Sequence, residues 1–211
     1  MRARRLRRLA LAAALIALLA QGAAAAVFGV VAGVDAYARL PPLEGAAADA
    51  RDIAAAVTAL GGEVAPMTDA GASRARFIAA VTETAARAAP GDLVVIAFAG
   101  HGVQEPEAVA GLSPDGLDEA IAFADFAPEG AAAGERLRDK EMAALMGLFR
   151  PGVRVILAVD ACHGGAMTRA LDPRKRPLAV RTARIAAIRD DPLPPPPPAP
   201  ADARLPGVFF L

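Results

Sequence analysis

The chain has 211 residues, of which 55% are hydrophobic, 22% charged and 4% aromatic, and its 23 basic and 23 acidic side chains give a formal net charge of +0. That balance leaves no electrostatic footprint for nucleic acid, the scarce aromatics leave no platform for stacking bases, and the length suits one domain with a modest core. A single cysteine, Cys162, excludes an internal disulfide, so it is either a small buried hydrophobe or a free thiol with a chemical task. Nearly all the positive charge is arginine, with Lys140 and Lys175 the only lysines; together with the alanine content, this reads as a GC-rich coding bias.

The first stretch has the three parts of a secretory signal. Arg2 to Arg8 are basic, Leu9 to Ala20 are apolar, and Gln21 to Ala26 supply small residues of the A-x-A type. Residues 1–26 are therefore expected to be a signal peptide, with a periplasmic or secreted destination. The rival reading is an uncleaved anchor in the inner membrane, since "VFGVVAGV" prolongs the apolar run; only then is the membrane a partner.

"VFGVVAGV" (27–34) reads as a first strand. A helix follows, with Ile53, Val57 and Leu60 at helical spacing and Gly61-Gly62 as its stop. "EVAPMT" reads as a weak strand that Pro66 demotes to a sheet edge. Ser73 is placed to cap a second helix striped by Phe77, Ile78, Val81 and Ala85. "DLVVIAFAG" (92–100) and "VRVILAVDA" (153–161) are continuously apolar, as strands buried on both faces are. Between them the sequence predicts a polar loop, a hairpin through "DEAIAFADF", and a helix from Asp139 to Phe149 on Met142, Leu145, Met146 and Phe149. Strands alternating with helices predict an α/β fold with an open, mostly parallel sheet flanked by helices.

After about residue 170 no period is visible, and Pro194 to Pro198 impose an extended polyproline segment. The expected organisation is a catalytic-type domain over 27–175, a Pro-rich linker over 176–204, and a strand beginning in 205–211. A buried strand at the last residues suggests a truncated C-terminal half.

Ligands of open α/β sheets bind beyond the carboxyl ends of the strands. "FAGHGVQ" puts His101 at one such end and "VDACHGG" puts Cys162 at another. Neighbouring strands would bring thiol and imidazole together, the pairing used for covalent acyl transfer. The N–H groups of Gly102 and Cys162 could form an oxyanion hole. His163 is the rival base, but adjacent side chains in extended chain point to opposite faces, which favours His101.

"FAGHGVQ" with "VILAVDACHGG" resembles the caspase/metacaspase family, its prokaryotic metacaspase-like branch in particular. "GVDAYARLPPLEGAAADA" and "DGLDEAIAFAD" are similar to further segments of that family, so the resemblance runs from Val27 to Met167. "LPGVFFL" looks like the first strand of the small-subunit half. The resemblance implies a caspase-like cysteine endopeptidase with Cys162 as nucleophile and His101 as base and acid. It places an acidic pocket for arginine or lysine at Asp49 and Asp160, so the implied partners are proteins or peptides with basic residues. A plainer reading of Asp49 is a solvated carboxylate favoured at a helix start; for Asp160, a carboxylate ending a buried strand needs a partner.

The chain departs from the family pattern at Ala46, Ala48 and Ala99, and in "DACHGG" where a serine is usual. No cofactor is required, although several metacaspases use calcium. Asp115, Asp118, Glu119 and Asp125 form an acidic stretch without a ligand spacing, and so read as a solvated loop. Two other functions stay open: a non-catalytic caspase-like binding or regulatory module from a truncated gene, and a thiol acyl transferase using the same dyad.

Overall fold

The computed structural model describes residues 25–109, 111, 113, 116–129, 134–161 and 208–210. Cys162, His163, Asp115, the linker over 176–204 and almost all of the signal segment lie outside the described residues. No helix among the described residues is long and apolar enough to cross a membrane.

The apolar runs form the strands expected of them. β1 (Val27–Gly33), β4 (Leu93–Gly100) and β8 (Arg154–Ala161) lie side by side and parallel. β9 (Val208–Phe210) pairs parallel with β8 at one edge. At the other edge, "EVAPMT" forms two short strands, β2 (Glu63–Val64) and β3 (Met67–Thr68), both parallel to β1. The sheet order is β2-β1-β4-β8-β9, so the α/β class and largely parallel sheet are as the sequence predicts.

Helices cover both faces. α2 (Arg74–Arg87) and α3 (Asp139–Met146) bury Phe77, Val81, Met142 and Met146 against Val30, Ile96, Phe98, Val155 and Leu157 in the main core. The opposite face carries smaller side chains, Val31, Ala97 and Ala158, and α1 (Ala46–Ala59) packs there through Ala50 and Ile53. Small residues let this helix approach closely. A Cβ on Gly33 would sit 2.1 Å from the Ala46 carbonyl oxygen and 2.7 Å from the Ala50 methyl carbon.

Ser73 caps α2, accepting the Arg76 N–H at 3.3 Å. α1 lacks a side-chain cap at Gly45, and the Asp35 carboxylate replaces it, accepting the N–H groups of Ala46 and Ala47 at 2.8 and 3.1 Å. Asp35 is itself held by Asp69, which accepts the N–H groups of residues 35 and 36 at 2.9 Å each. Asp35→Ala is expected to cost about 1–2 kcal/mol, the usual loss of a cap, measured as a lower urea midpoint at unchanged slope.

Three local readings need correction. "DEAIAFADF" is not a self-contained hairpin: β6 (Leu117–Ala122) is the central strand of an antiparallel sheet between β5 (Gly102–Pro106) and β7 (Arg136–Arg138). β5 falls in the supposed polar loop. The acidic stretch is not a solvated loop either, since Asp118 and Glu119 lie on β6 and are 2% and 4% exposed, while Asp125 is exposed. Lastly, α3 stops at Met146, where the Leu148 and Phe149 N–H groups turn back to Leu145 and Met146 as a tighter turn.

The small sheet buries charge. Glu105 pairs with Arg136, which is 0% exposed. Glu141 accepts from Arg74 at 2.7 Å and from Arg138 at 3.3 Å, so the network ties α2, β5, β7 and α3 together. Buried pairs of this kind add little net stability as pairs, but removing one partner leaves a stranded charge.

Candidate active site

The order of the main sheet reverses between β1 and β4, because the chain leaves β1 for β2 on one side and returns to β4 on the other. At such a switch point the strand ends open a crevice for ligands. His101 follows the last residue of β4 and stands at that crevice.

Its backbone is clamped. The His101 N–H donates to the Tyr37 hydroxyl at 2.7 Å, and the His101 carbonyl accepts the Ala122 N–H at 2.9 Å. Tyr37 closes the loop by donating its own O–H to the Ala122 carbonyl at 3.0 Å. The two rings lie 4.8 Å apart between centroids, tilted by 57°. A Cβ on Gly100 would lie 2.5 Å from the Tyr37 hydroxyl oxygen, so glycine before His101 makes this contact possible.

The imidazole is 7% exposed and its nitrogens are distinguishable. Nε2 lies 2.9 Å from the Pro41 carbonyl oxygen, which can only accept, so Nε2 carries the proton. The lone pair is then on Nδ1. That nitrogen is buried and has no hydrogen-bond partner among the described residues. A buried basic nitrogen without a partner is costly in a purely structural histidine.

β8 ends beside it. Register pairs Gly100 with Ala161, the residues that precede His101 and Cys162 in the sequence. Ala161 is the last described residue before Cys162. At Gly102, the bond from Ala122 N–H to His101 makes Gly102–Ile121 a non-hydrogen-bonded pair, which directs the Gly102 N–H away from β6.

Both carboxylates expected of the pocket are exposed. Asp49 stands in the first turn of α1, next to Ala50 of the α1–sheet cluster. Asp160 is two residues beyond Ala158 of that cluster and so on the same face of β8. The N-terminus of α1 meets the carboxyl end of β1 at Gly33, which puts both carboxylates toward one end of one sheet face. Exposure removes the argument that Asp160 needs a partner because it is buried.

Of the acidic stretch, the described residues Asp118, Glu119 and Asp125 do not converge on one point. Asp118 is bonded to the Lys140 ammonium, Asp118 and Glu119 are successive strand residues that point to opposite faces, and Asp125 is exposed. Among the described residues, no group of three or more His, Cys, Asp or Glu side chains could hold a metal ion.

Tyr37 and the Pro41 carbonyl both hold His101, and motif reading assigns neither of them a role. Tyr37 is the only tyrosine in the chain, a usable signal given how few aromatics there are. The Pro41 contribution is a backbone atom and carries no side-chain signature.

The family model for the metacaspase, peptidase C14 domain matches residues 30–171. Metacaspase-1B of Aspergillus terreus is 38% identical over 79 residues, covering 37% of this chain and 19% of its own length. Metacaspase-1 of Yarrowia lipolytica is 38% identical over 78 residues, covering 37% of this chain and 16% of its own. The matched segment thus spans no more than about a fifth of these relatives. Among solved structures, protein GSU0716 from Geobacter sulfurreducens superposes with a TM-score of 0.56 at 30% identity, covering 65% of this chain and 50% of that one.

Proposed function

Because the chain belongs to the metacaspase family of C14 peptidases, we propose that it is a cysteine-type endopeptidase in which His101 and Cys162 form the catalytic dyad. The observation that carries this reading is the state of His101: Nε2–H is held by the Pro41 carbonyl, and Nδ1 is a buried base with no partner among the described residues.

His101 Nδ1 takes the proton from the Cys162 thiol, and the thiolate attacks the scissile carbonyl carbon. The oxygen gains negative charge and is met by the N–H groups of Gly102 and Cys162. His101 then returns the proton from Nδ1 to the departing amine nitrogen. The C–N bond breaks and an acyl-enzyme thioester remains. Water, deprotonated by Nδ1, attacks the thioester carbonyl and regenerates the thiol as the proton returns to sulfur. Throughout, the Pro41 carbonyl accepts from Nε2–H. This fixes the ring and stabilises the imidazolium that forms after each proton transfer, without competing for the proton. Substrates on this reading are peptides and proteins with arginine or lysine before the cut, bound by Asp49 and Asp160. No step requires a metal.

The test is hydrolysis of fluorogenic peptides by the full chain and by its Cys162→Ala variant, with thiol labelling of Cys162 read in parallel. Hydrolysis unchanged in that variant overturns the reading. An acyl transferase would instead pass the acyl group to an added amine in preference to water.

Tyr37 acts as a positioning residue. Tyr37→Phe leaves the buried His101 N–H and Ala122 carbonyl without their present partner. It is expected to lower kcat roughly tenfold to a hundredfold with little change in KM, as small misplacements of a catalytic group do. Titrating the reactive Cys162 thiol in the same samples separates this from a general loss of fold, which would lower the titratable fraction and leave kcat per active site unchanged.

A further inference from the structure

Lys140 is the second residue of α3, and it is 8% exposed. Its ammonium has three N–H donors and makes three contacts, to the Ser113 hydroxyl, to Asp118, and to Asp139 at 3.0 Å. These come from three parts of the chain: the β5–β6 connection, strand β6 and the start of α3. The remaining carboxylate oxygens are also used. Asp118 Oδ2 accepts the Ala108 N–H at 3.1 Å, and Asp139 Oδ1 accepts the Lys140 N–H at 2.7 Å. The oxygens therefore converge on one positive centre.

We propose that Lys140 is a built-in cation, whose ammonium organises the oxygen set of Asp118, Asp139 and Ser113 in place of a divalent metal, and that removing it would open a calcium site there.

The choice of lysine supports this. All but two of the 23 basic residues are arginine, yet this buried position is lysine. A guanidinium is a planar fork, whereas an ammonium is a compact point charge able to sit between oxygens arriving from several directions. It is the side chain that most resembles a small spherical cation.

Charge balance points the same way. Two carboxylates around one ammonium leave the group with one net negative charge. Burial pushes Asp139 up to about 6 even though Lys140 draws it down, and the neighbouring Asp118 charge adds to the rise. For Lys140 itself, burial pulls downward, but its bonds to Asp118 and Asp139 outweigh it, so the ammonium stays charged. Without Lys140, two carboxylates and a hydroxyl would face one vacated point, an all-oxygen set that hard cations accept, with water completing the shell. With Lys140 in place, a dication would meet a like charge at contact distance, and the tethered ammonium is always at hand.

This also gives the acidic stretch a role. The Glu107 side chain holds the N–H groups of Gly111 and Ser113, and Ser113 is held by Lys140. The lysine thereby fastens the β5–β6 connection to the body of the fold, close in sequence to the strand that begins beside His101. The inference stands whether or not the chain cleaves peptides, because binding and melting require no turnover.

The test uses the metal-free full chain, with thermal melting in calcium or in chelator and calorimetric titration with calcium. Wild type is expected to melt at the same temperature in both and to show no binding that depends on Asp118. Lys140→Ala is expected to melt several degrees lower in chelator, to recover most of that loss in millimolar calcium, and to bind one calcium that added Asp118→Asn abolishes. Should Lys140→Ala not fold in chelator, folding on addition of calcium supports the proposal. If it folds in neither, Lys140→Gln, which keeps the chain length and a donor, decides by the same shift. A wild-type melting point raised by calcium and returned to baseline by Asp118→Asn overturns the proposal. So does a folded Lys140→Ala, or in its place Lys140→Gln, that binds no calcium.

Discussion

Cys162→Ala and His101→Ala are each expected to lower kcat/KM for peptide hydrolysis by about a thousandfold or more, and the double variant should be little worse than either alone. The non-additivity follows from the division of labour. Without the thiol there is no bond to form, so the base has nothing to activate. Without the base the thiol is mostly protonated near neutral pH, and the leaving amine has no proton donor. The two losses remove the same pathway.

The variants differ in a second measurement. Cys162→Ala abolishes alkylation of the only thiol in the chain, while His101→Ala retains it at a reduced rate. His163→Ala provides the contrast, because it should keep most of the activity if His101 is the base. Activity that survives His101→Ala but disappears in His163→Ala would transfer the role to His163. The Pro41 carbonyl cannot be removed by substitution, but its effect can be sought by NMR, where the His101 imidazole in the resting protein should carry its proton on Nε2.

The main sheet was legible because β1 and β4 are largely buried on both faces and the middle of β8 is apolar. Runs such as "LVVIAFAG" and "VILAV" have no polar residue to confuse their reading, and Gly or Pro marks the turns before them. Adjacency of β4 and β8 then follows from burial, and the register of Gly100 with Ala161 falls at the ends marked by the two motifs. The second sheet was illegible for a physical reason. β5 is "GVQEP", which has no alternation because one of its core residues is Glu105, and β7 is "RLR", whose arginines are buried. Pattern reading treats such residues as solvent-facing. Here they are neutralised by one another, and only coordinates reveal ion pairs between distant segments. Asp118 and Lys140 were hidden in the same way, as was Tyr37, whose role depends on two backbone groups far along the chain.

Peptides with arginine before the cut are expected to be hydrolysed at least about a hundredfold more efficiently than peptides with aspartate there, with arginine equal to or better than lysine. Asp49 opens α1 and Asp160 ends β8, toward the same end of the sheet face that α1 covers. Two carboxylates there attract a cationic side chain and repel an anionic one, and the repulsion is the stronger discriminator once the bound peptide has displaced water. A guanidinium can bridge both carboxylates with paired N–H donors, whereas an ammonium meets them as a point charge, which is why arginine leads. Both carboxylates are exposed among the described residues, and so are open to an incoming side chain. Asp160→Asn should therefore reduce the arginine-to-aspartate ratio by roughly tenfold or more, mostly through KM for arginine peptides, while alkylation of Cys162 proceeds as in wild type. Asp49→Asn should act in the same direction, with a small further cost in stability because a carboxylate in the first turn favours the helix dipole. Fluorogenic peptides that differ only at that one residue measure both effects. Equal turnover of arginine and aspartate peptides by the wild-type chain would mean that these two carboxylates do not line the pocket.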